Sequence, residues 1–260
     1  MRTRSGIWSI RARIALGVLA LGLTAACGGG APAEAPTTAP VANPVDQATA
    51  GAVIGRIVFE GTVPAPASIK MTADPNCGSD GSMSEALIVG DGGALQNVFV
   101  YVKDGLGNLT FPVPAEMVIL DQKGCHYVPH VLGVQVGQPV QIVNSDATLH
   151  NVHAAGKTNR EFNAGQPIQG MKMTHTFTTK EVMVPFKCDV HGWMNAWVGV
   201  LDHPFFSVTG RDGAFSLKGL PPGTYTIEAW HETLGTETQT VTIGAKESKD
   251  LAFTFRGAGA

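Results

Sequence analysis

The chain has 260 residues, of which 44% are hydrophobic and 15% are charged, and its formal net charge is −3. This length and apolar content suffice for one or two globular domains with buried cores and exclude a chain that is disordered overall. The acidic balance argues against a nucleic-acid partner and mildly favours a basic protein partner.

The N-terminal segment has the layout of a secretory signal peptide. Arginines precede an apolar run over residues 14–23, which is far shorter than the roughly 20 residues of a membrane-spanning helix. Residues 23–27 (LTAAC) resemble a bacterial lipobox, which implies cleavage before Cys27 and a lipid on that cysteine. The alternative is ordinary signal cleavage that leaves a free cysteine. The sequence therefore predicts an exported lipoprotein, anchored to a membrane and facing the periplasm or the cell exterior.

Residues 28–50 are rich in Ala, Pro, Gly and Thr and lack apolar periodicity, which predicts a flexible linker. After residue 50, short alternating stretches bounded by Gly, Pro, Asn and Asp recur without sustained helical periodicity. The fold class is therefore predicted to be all-β. In the stretch 132–136, the odd residues Gly133 and Gln135 are predicted to face away from the core. In the stretch 182–188, the even residues, from Val182 to Cys188, are predicted to share the core face.

The C-terminal part contains two sharp turns, Asp212-Gly213 and the sequence LPPG at 220–223. Residues 212–225 resemble the later half of a carboxypeptidase regulatory-like, transthyretin-type β-sandwich, whose first half looks like residues 55–59 and 97–102. The resemblance implies one small sandwich interrupted by an inserted unit, with three units in series as the alternative. The predicted organisation is a signal peptide (1–27), a linker (28–50), the first part of the sandwich (51–111), an inserted domain (112–203) and the second part of the sandwich (204–256).

Each of the four cysteines of an exported protein needs an assignment to a lipid, a disulfide or a metal. Cys27 is assigned to the lipid and Cys188 to the metal motif described next. Cys77 and Cys125 are then predicted to form a disulfide. The alternative places Cys125 and His126 in a second metal site.

The chemistry is concentrated in the sequence CDVHGWM, in which Cys188, His191 and Met194 are each separated by two residues. A fourth donor, His150, lies 38 residues earlier, after a polar loop. Two imidazoles, one thiolate and a weak axial thioether form the donor set of blue-copper electron-transfer sites. Zinc is the competitor, but it prefers four strong donors and gains little from a thioether. A single thiolate favours one copper ion, and four protein donors leave no open position for catalysis, so an enzyme is not expected.

Residues 144–153 and 186–194 resemble a cupredoxin, and the compact ligand loop is most similar to that of the amicyanin and plastocyanin-like members. The resemblance implies copper ligation by His150, Cys188, His191 and Met194 in a Greek-key barrel over residues 112–203. It also implies that Asn151 braces the ligand loops and donates its backbone N–H to the cysteine sulfur. Trp193 is then expected to shield the metal or to lie on the electron route, with simple packing as the alternative. The small relatives usually have proline where this chain has a glycine, at position 192.

The leading hypothesis is a type 1 copper protein that carries single electrons between extracytoplasmic redox partners, such as a cytochrome or a dehydrogenase-like protein. The alternatives are a copper-binding or copper-delivery lipoprotein and a surface interaction module. Some further residues are weaker candidates. His153 is a candidate neighbour of the ligands, Met171, Met173 and His175 form a candidate Cu(I) loading site, and His130, His203 and His231 are interpreted as structural.

Overall fold

A computed structural model describes residues 42–78 and 82–257. The predicted signal segment, the predicted lipidation site Cys27 and most of the predicted linker lie outside these residues. The described part is built of β-strands with two short 3₁₀ turns, so the all-β prediction is confirmed. Among the described residues, no helix has the length and apolar character needed to cross a membrane.

The described strands are numbered in chain order. Their bounds are β1 Gly51–Glu60, β2 Ser68–Ile69, β3 Ser82–Met83, β4 Phe99–Asp104, β5 Val118–Gln122, β6 Tyr127–Val128, β7 Val131–Gln135, β8 Pro139–Asn144, β9 His150–Ala154, β10 Phe162–Gln166, β11 Lys172–Thr176, β12 Glu181–Lys187, β13 Asn195–Leu201, β14 Phe206–Val208, β15 Ala214–Leu220, β16 Gly223–His231, β17 Gly235–Ile243 and β18 Ser248–Arg256. The 3₁₀ turns are Pro75–Cys77 and Asp91–Gly93.

Strands from both ends of the described chain form one unit, which we call the outer sandwich. Its two sheets have the strand orders β15-β1-β18 and β14-β4-β16-β17. Strand β1 is antiparallel to β15 and parallel to β18, so early and late segments share a sheet. The alternating apolar residues of these strands, such as Ile57, Val100 and Phe253, close a core between the two sheets.

Strands β5 to β13 form a second unit, the central sandwich, from one continuous stretch of chain. Its sheets have the orders β10-β9-β12-β13-β7 and β11-β8-β5-β6. Residues that include Leu120, Val134, Ile142 and Phe186 fill its core. The central sandwich thus lies in sequence between the two strand groups of the outer one, while the residue bounds of the domains stay a prediction.

The two sandwiches meet at an apolar contact between β4 and strands β7 and β13. Phe99 and Tyr101 of β4 pack there with Val131, Met183 and Leu201. A Cβ added at Gly133 or Gly199 would collide with the ring of Phe99, so glycine lets the two units approach closely. The odd face of β7 therefore does point away from its own core, but it is covered by the outer sandwich rather than by water.

The alternation predicted for the stretch 182–188 is wrong at Val182. Met183 has a positive φ of 62°, and the pairing of β12 with β13 shifts register between Glu181 and Val184. This bulge turns Val182 towards the contact between the sandwiches, together with Met183. Val184, Phe186 and Cys188 keep the predicted common face in the central core.

Candidate metal centre

The loop that carries three of the predicted donors closes the hairpin of β12 and β13. Cys188 directly follows β12, and Met194 directly precedes β13. The backbone N–H of Cys188 donates to the carbonyl oxygen of Met194 at 3.1 Å, and the N–H of Met194 donates to the carbonyl of His191 at 2.9 Å. These bonds hold the seven-residue loop compact, so the thiol, the imidazole and the thioether are presented from one end of the hairpin.

The fourth predicted donor arrives on a neighbouring strand. His150 is the first residue of β9, which pairs with β12 in the same sheet. Its Nδ1 lies 3.1 Å from Nδ1 of His191, and the Sγ of Cys188 lies 3.9 Å from that same His191 atom. The donor atoms of His150, Cys188 and His191 lie within 4.8 Å of one another. The structure therefore brings the three strong donors together.

These distances allow a test of whether a metal ion suits the donors. First-row ions bind imidazole nitrogen at about 2.0 to 2.1 Å, so two nitrogens 3.1 Å apart can bind one ion at an angle of about 100°. Met194 is 1% exposed and belongs to the same buried core as Cys188, so its thioether is a candidate donor that is shielded from water. Two imidazoles, one thiolate and one thioether fit copper better than zinc.

The cysteine sulfur accepts two backbone hydrogen bonds. The N–H groups of Asn151 and His191 each lie 3.4 Å from Sγ of Cys188. The side-chain oxygen of Asn151 also accepts from the N–H of Asp189 at 2.9 Å, which ties β9 to the ligand loop. Asn151 thus makes the contacts that the cupredoxin resemblance implies, and such bonds restrain a thiolate ligand and tune its metal.

In His150 and in His191, the ring nitrogen that points away from the donor group, Nε2, lies within hydrogen-bond distance of a carboxylate oxygen. Nε2 of His150 lies 2.9 Å from Oδ2 of Asp146, and Nε2 of His191 lies 3.1 Å from Oδ2 of Asp74. A carboxylate at Nε2 keeps the proton there and leaves Nδ1 free to bind a metal. Burial lowers the pKa of His150, with Asp146 acting in the opposite direction, and a lower pKa favours the neutral imidazole that metal binding requires.

Sequence reasoning missed both carboxylates. Asp146 precedes His150 by four residues in the polar loop. This closeness in sequence is the one local feature that could have predicted their contact. Asp74 is 117 residues from His191, and nothing in its local sequence links the two. Hydrogen bonds from Thr148 and then from the Asn76 backbone lower the pKa of Asp74 to about 2, so this carboxylate is charged near neutral pH.

A disulfide lies against the same group of residues. Cys77 and Cys125 are bonded to each other, and Sγ of Cys77 lies 3.6 Å from Nε2 of His191. The N–H of Cys125 donates to Asp146 at 2.8 Å, so the disulfide also contacts the carboxylate that orients His150. With its sulfur in this bond, Cys125 offers no thiolate to a second metal site at His126.

Trp193 lies beside the disulfide and His191. Its ring centroid is 5.1 Å from that of His191, and its Nε1–H donates to the carbonyl of Cys125 at 3.1 Å. The ring is half-buried and packs against the central core. Trp193 therefore covers one side of the histidine and remains in reach of the surface.

The weaker candidates lie outside this group. His153 is bonded to Asp189 at 3.0 Å and to Glu161 at 2.5 Å, on the outward side of β9. His175 stacks on Phe162 with ring centroids 4.1 Å apart, and burial lowers the pKa of His175. Met173 packs on the central core, whereas Met171 is exposed.

Comparisons with known proteins add the following findings. No protein-family model matches the chain, and no curated protein matches it. Among solved structures, a copper-containing nitrite reductase from Thermus scotoductus matches at 19% identity over 39% of this chain, with a TM-score of 0.33, and the match spans 26% of that enzyme. A reduced amicyanin variant matches at 27% identity over 34% of this chain and 85% of its own, with a TM-score of 0.30. An oxidised amicyanin variant matches at 20% identity over 45% of this chain and 93% of its own, also with a TM-score of 0.30.

Proposed function

We propose that the chain is a cupredoxin-type, mononuclear blue-copper protein that carries single electrons. The observation that carries this proposal is the convergence of two imidazole Nδ1 atoms and one cysteine sulfur in a buried space, with Met194 buried in the same core. In this reading, His150, Cys188, His191 and Met194 would hold the ion, which would supply a Cu(II)/Cu(I) couple. The hairpin loop, Asn151 and the two carboxylates would keep the donors in one arrangement in both oxidation states.

Burial of the donors supports electron transfer over catalysis. His150 is fully buried, and Cys188 and His191 are each 2% exposed. A metal that acts as a Lewis acid needs an open position for water or substrate, and four protein donors fill the positions of a blue-copper site. The proposed role is therefore electron exchange with an extracytoplasmic redox protein, from a membrane anchor at the lipidated Cys27, and not an enzymatic reaction.

The first prediction tests the ligands with matched variants. The purified chain loaded with one equivalent of Cu(II) is expected to show an intense visible thiolate-to-copper band and a reversible one-electron wave in voltammetry. Cys188→Ser should abolish the band because it removes the thiolate, and His150→Gln should abolish or strongly weaken it. The control is His153→Gln on the same strand, which should retain the band because His153 is bonded to Asp189 and Glu161 rather than to the donor group.

Three results would contradict the proposal. A wild-type chain that binds copper without colour would argue against a thiolate ligand. A coloured protein that cannot be cycled, or that passes its copper rapidly to a chelator, would instead support copper delivery. Equal colour in Cys188→Ser and in the wild type would remove the assignment of Cys188.

A further inference from the structure

The ring edge of His191 is covered by a segment from a distant part of the chain. His191 is 2% exposed, whereas its neighbour Val190 is 49% exposed and Gly192 is also exposed. The cover is residues 71–78, which precede the central sandwich in sequence and which we call the strap. Asp74 and Cys77 of the strap both contact Nε2 of His191, at 3.1 and 3.6 Å. The residues on either side of His191 in the loop are therefore exposed to solvent, whereas His191 itself is buried under the strap.

The strap is fastened at several points. Met71 is buried in the central core, and Cys77 is bonded to Cys125. Between them, Oδ1 of Asp74 accepts from the backbone N–H of Asn76 at 2.8 Å, which caps the short 3₁₀ turn. These attachments fix the carboxylate in place and leave its other oxygen directed at the metal centre.

That second oxygen joins the two ligand segments. Oδ2 of Asp74 accepts from Oγ1 of Thr148 at 2.5 Å and from Nε2 of His191 at 3.1 Å. Thr148 lies two residues before His150 in the loop that carries this ligand. One carboxylate therefore connects the His150 loop with the His191 loop, although it belongs to neither.

We propose that Asp74 is a positioning residue that holds His191 for the metal and favours the oxidised over the reduced copper. This proposal rests on the proposed function. A carboxylate on the far nitrogen makes an imidazole a more basic ligand, and it adds a negative charge near the ion. Both effects stabilise Cu(II) more than Cu(I), because Cu(II) carries the larger positive charge.

The test compares Asp74→Asn and Asp74→Ala with the wild type in the full chain, with the disulfide intact. The measured reaction is the uptake of one electron from an electrode by Cu(II) to give Cu(I). Asn keeps a hydrogen-bond acceptor and removes the charge, whereas Ala removes both. Loss of such a partner lowers metal affinity about 10- to 100-fold. If this loss falls on Cu(II) alone, the potential of Asp74→Ala rises by about 60 to 120 mV, at 59 mV for each factor of ten. Asp74→Asn should shift in the same direction by less.

A matched control is available at a histidine outside the donor group. Glu161 lies 2.5 Å from Nε2 of His153, so Glu161→Gln removes the charge of a carboxylate–imidazole pair without touching a proposed ligand. Its potential should equal that of the wild type. In the copper-free chain, ¹⁵N NMR should find the proton of wild-type His191 on Nε2, and a mixture of the two tautomers in Asp74→Ala.

The outcomes separate this proposal from the proposed function. If the wild type shows the blue band and both Asp74 variants keep its potential and the His191 tautomer, Asp74 has no such role, although the copper protein stands. If the wild type shows no blue band, the proposed function fails first. The double variant Cys77→Ser/Cys125→Ser loosens the strap and should raise the potential as Asp74→Ala does. A rise in this double variant with unchanged Asp74 variants would assign the effect to burial by the strap and overturn the role of the carboxylate.

Discussion

The two sandwiches differ in how the chain supplies their strands. The strands of the central sandwich lie in one stretch, 118–201, whereas the outer sandwich joins residues 51–104 to residues 206–256. Phe206 of β14 pairs with Tyr101 of β4, close to the points where the chain leaves the outer sandwich and re-enters it. Once the central sandwich has folded, the two ends that must meet are held close together, which reduces the entropy cost of closing so long a loop. We therefore expect the outer sandwich to depend on the central one for its assembly.

The largest expected effect comes from breaking the contact between the sandwiches. Phe99 is fully buried there, and Phe99→Ala should lower the free energy of unfolding by about 3 to 5 kcal/mol because it leaves a cavity between the units. Urea denaturation followed by far-UV circular dichroism reports the whole fold, and the visible copper band reports the central sandwich. In Phe99→Ala, the unfolding midpoints of the circular dichroism signal and of the copper band should both move to a lower urea concentration. The band should keep its wavelength before unfolding.

The control for this experiment is Phe215→Ala, which empties the outer core away from the contact. If the copper band of Phe99→Ala disappears at the same urea concentration as in the wild type, the central sandwich is stable by itself and the two units are not coupled.

An intermediate effect should come from His203, next to the contact. Its Nε2 donates to the carbonyl of Val102 at 2.9 Å, and its Nδ1 accepts from the N–H of Phe205 at 3.2 Å, so the neutral ring is fully bonded. Burial lowers the pKa of His203 to about 4, with Asp202 opposing the shift and Lys180 adding to it. The unfolded chain therefore binds the proton more readily than the folded one.

This difference makes stability depend on pH in a defined direction. The contribution of His203 is complete above its unfolded pKa of about 6.5 and is lost as the pH falls towards 4. Between pH 7 and pH 5 the loss is about 2 kcal/mol. The glutamine of His203→Gln cannot titrate. In urea unfolding, the difference in the free energy of unfolding between pH 7 and pH 5 should therefore be smaller in this variant than in the wild type by about that amount. An equal pH dependence in the variant and the wild type would contradict the assignment.

The smallest effect should come from the ligand loop of the central sandwich. A Cβ at Gly192 would have nothing within 4 Å, so Gly192→Ala is expected to raise the free energy of unfolding by about 0.4 to 1 kcal/mol through a less flexible unfolded chain. Gly199→Ala is the contrasting control, because its Cβ would collide with Phe99 and should destabilise. Destabilisation by Gly192→Ala in urea denaturation would show that the loop needs glycine.

The sequence predicted what depends on local pattern. Alternation predicted the all-β class and the core face of Val184, Phe186 and Cys188, and the spacing of the donors predicted a compact loop. The bulge at Met183 was missed because methionine has no preference for a positive φ. The burial of Gln135 was missed because alternation tells which way a side chain points but not what covers it. Asp74 was missed because only the folded chain brings it to His191.

The pairing of β1 with β18 also has a mechanical consequence. The two strands run parallel over nine residue pairs, from Ala52 with Ser248 to Glu60 with Arg256. A pull on the N-terminal side of β1 against the C-terminal side of β18 acts along the strands in opposite directions. It therefore shears the whole ladder of hydrogen bonds at once instead of peeling them apart one by one. A chain stretched between its two ends would resist force at this pair of strands first.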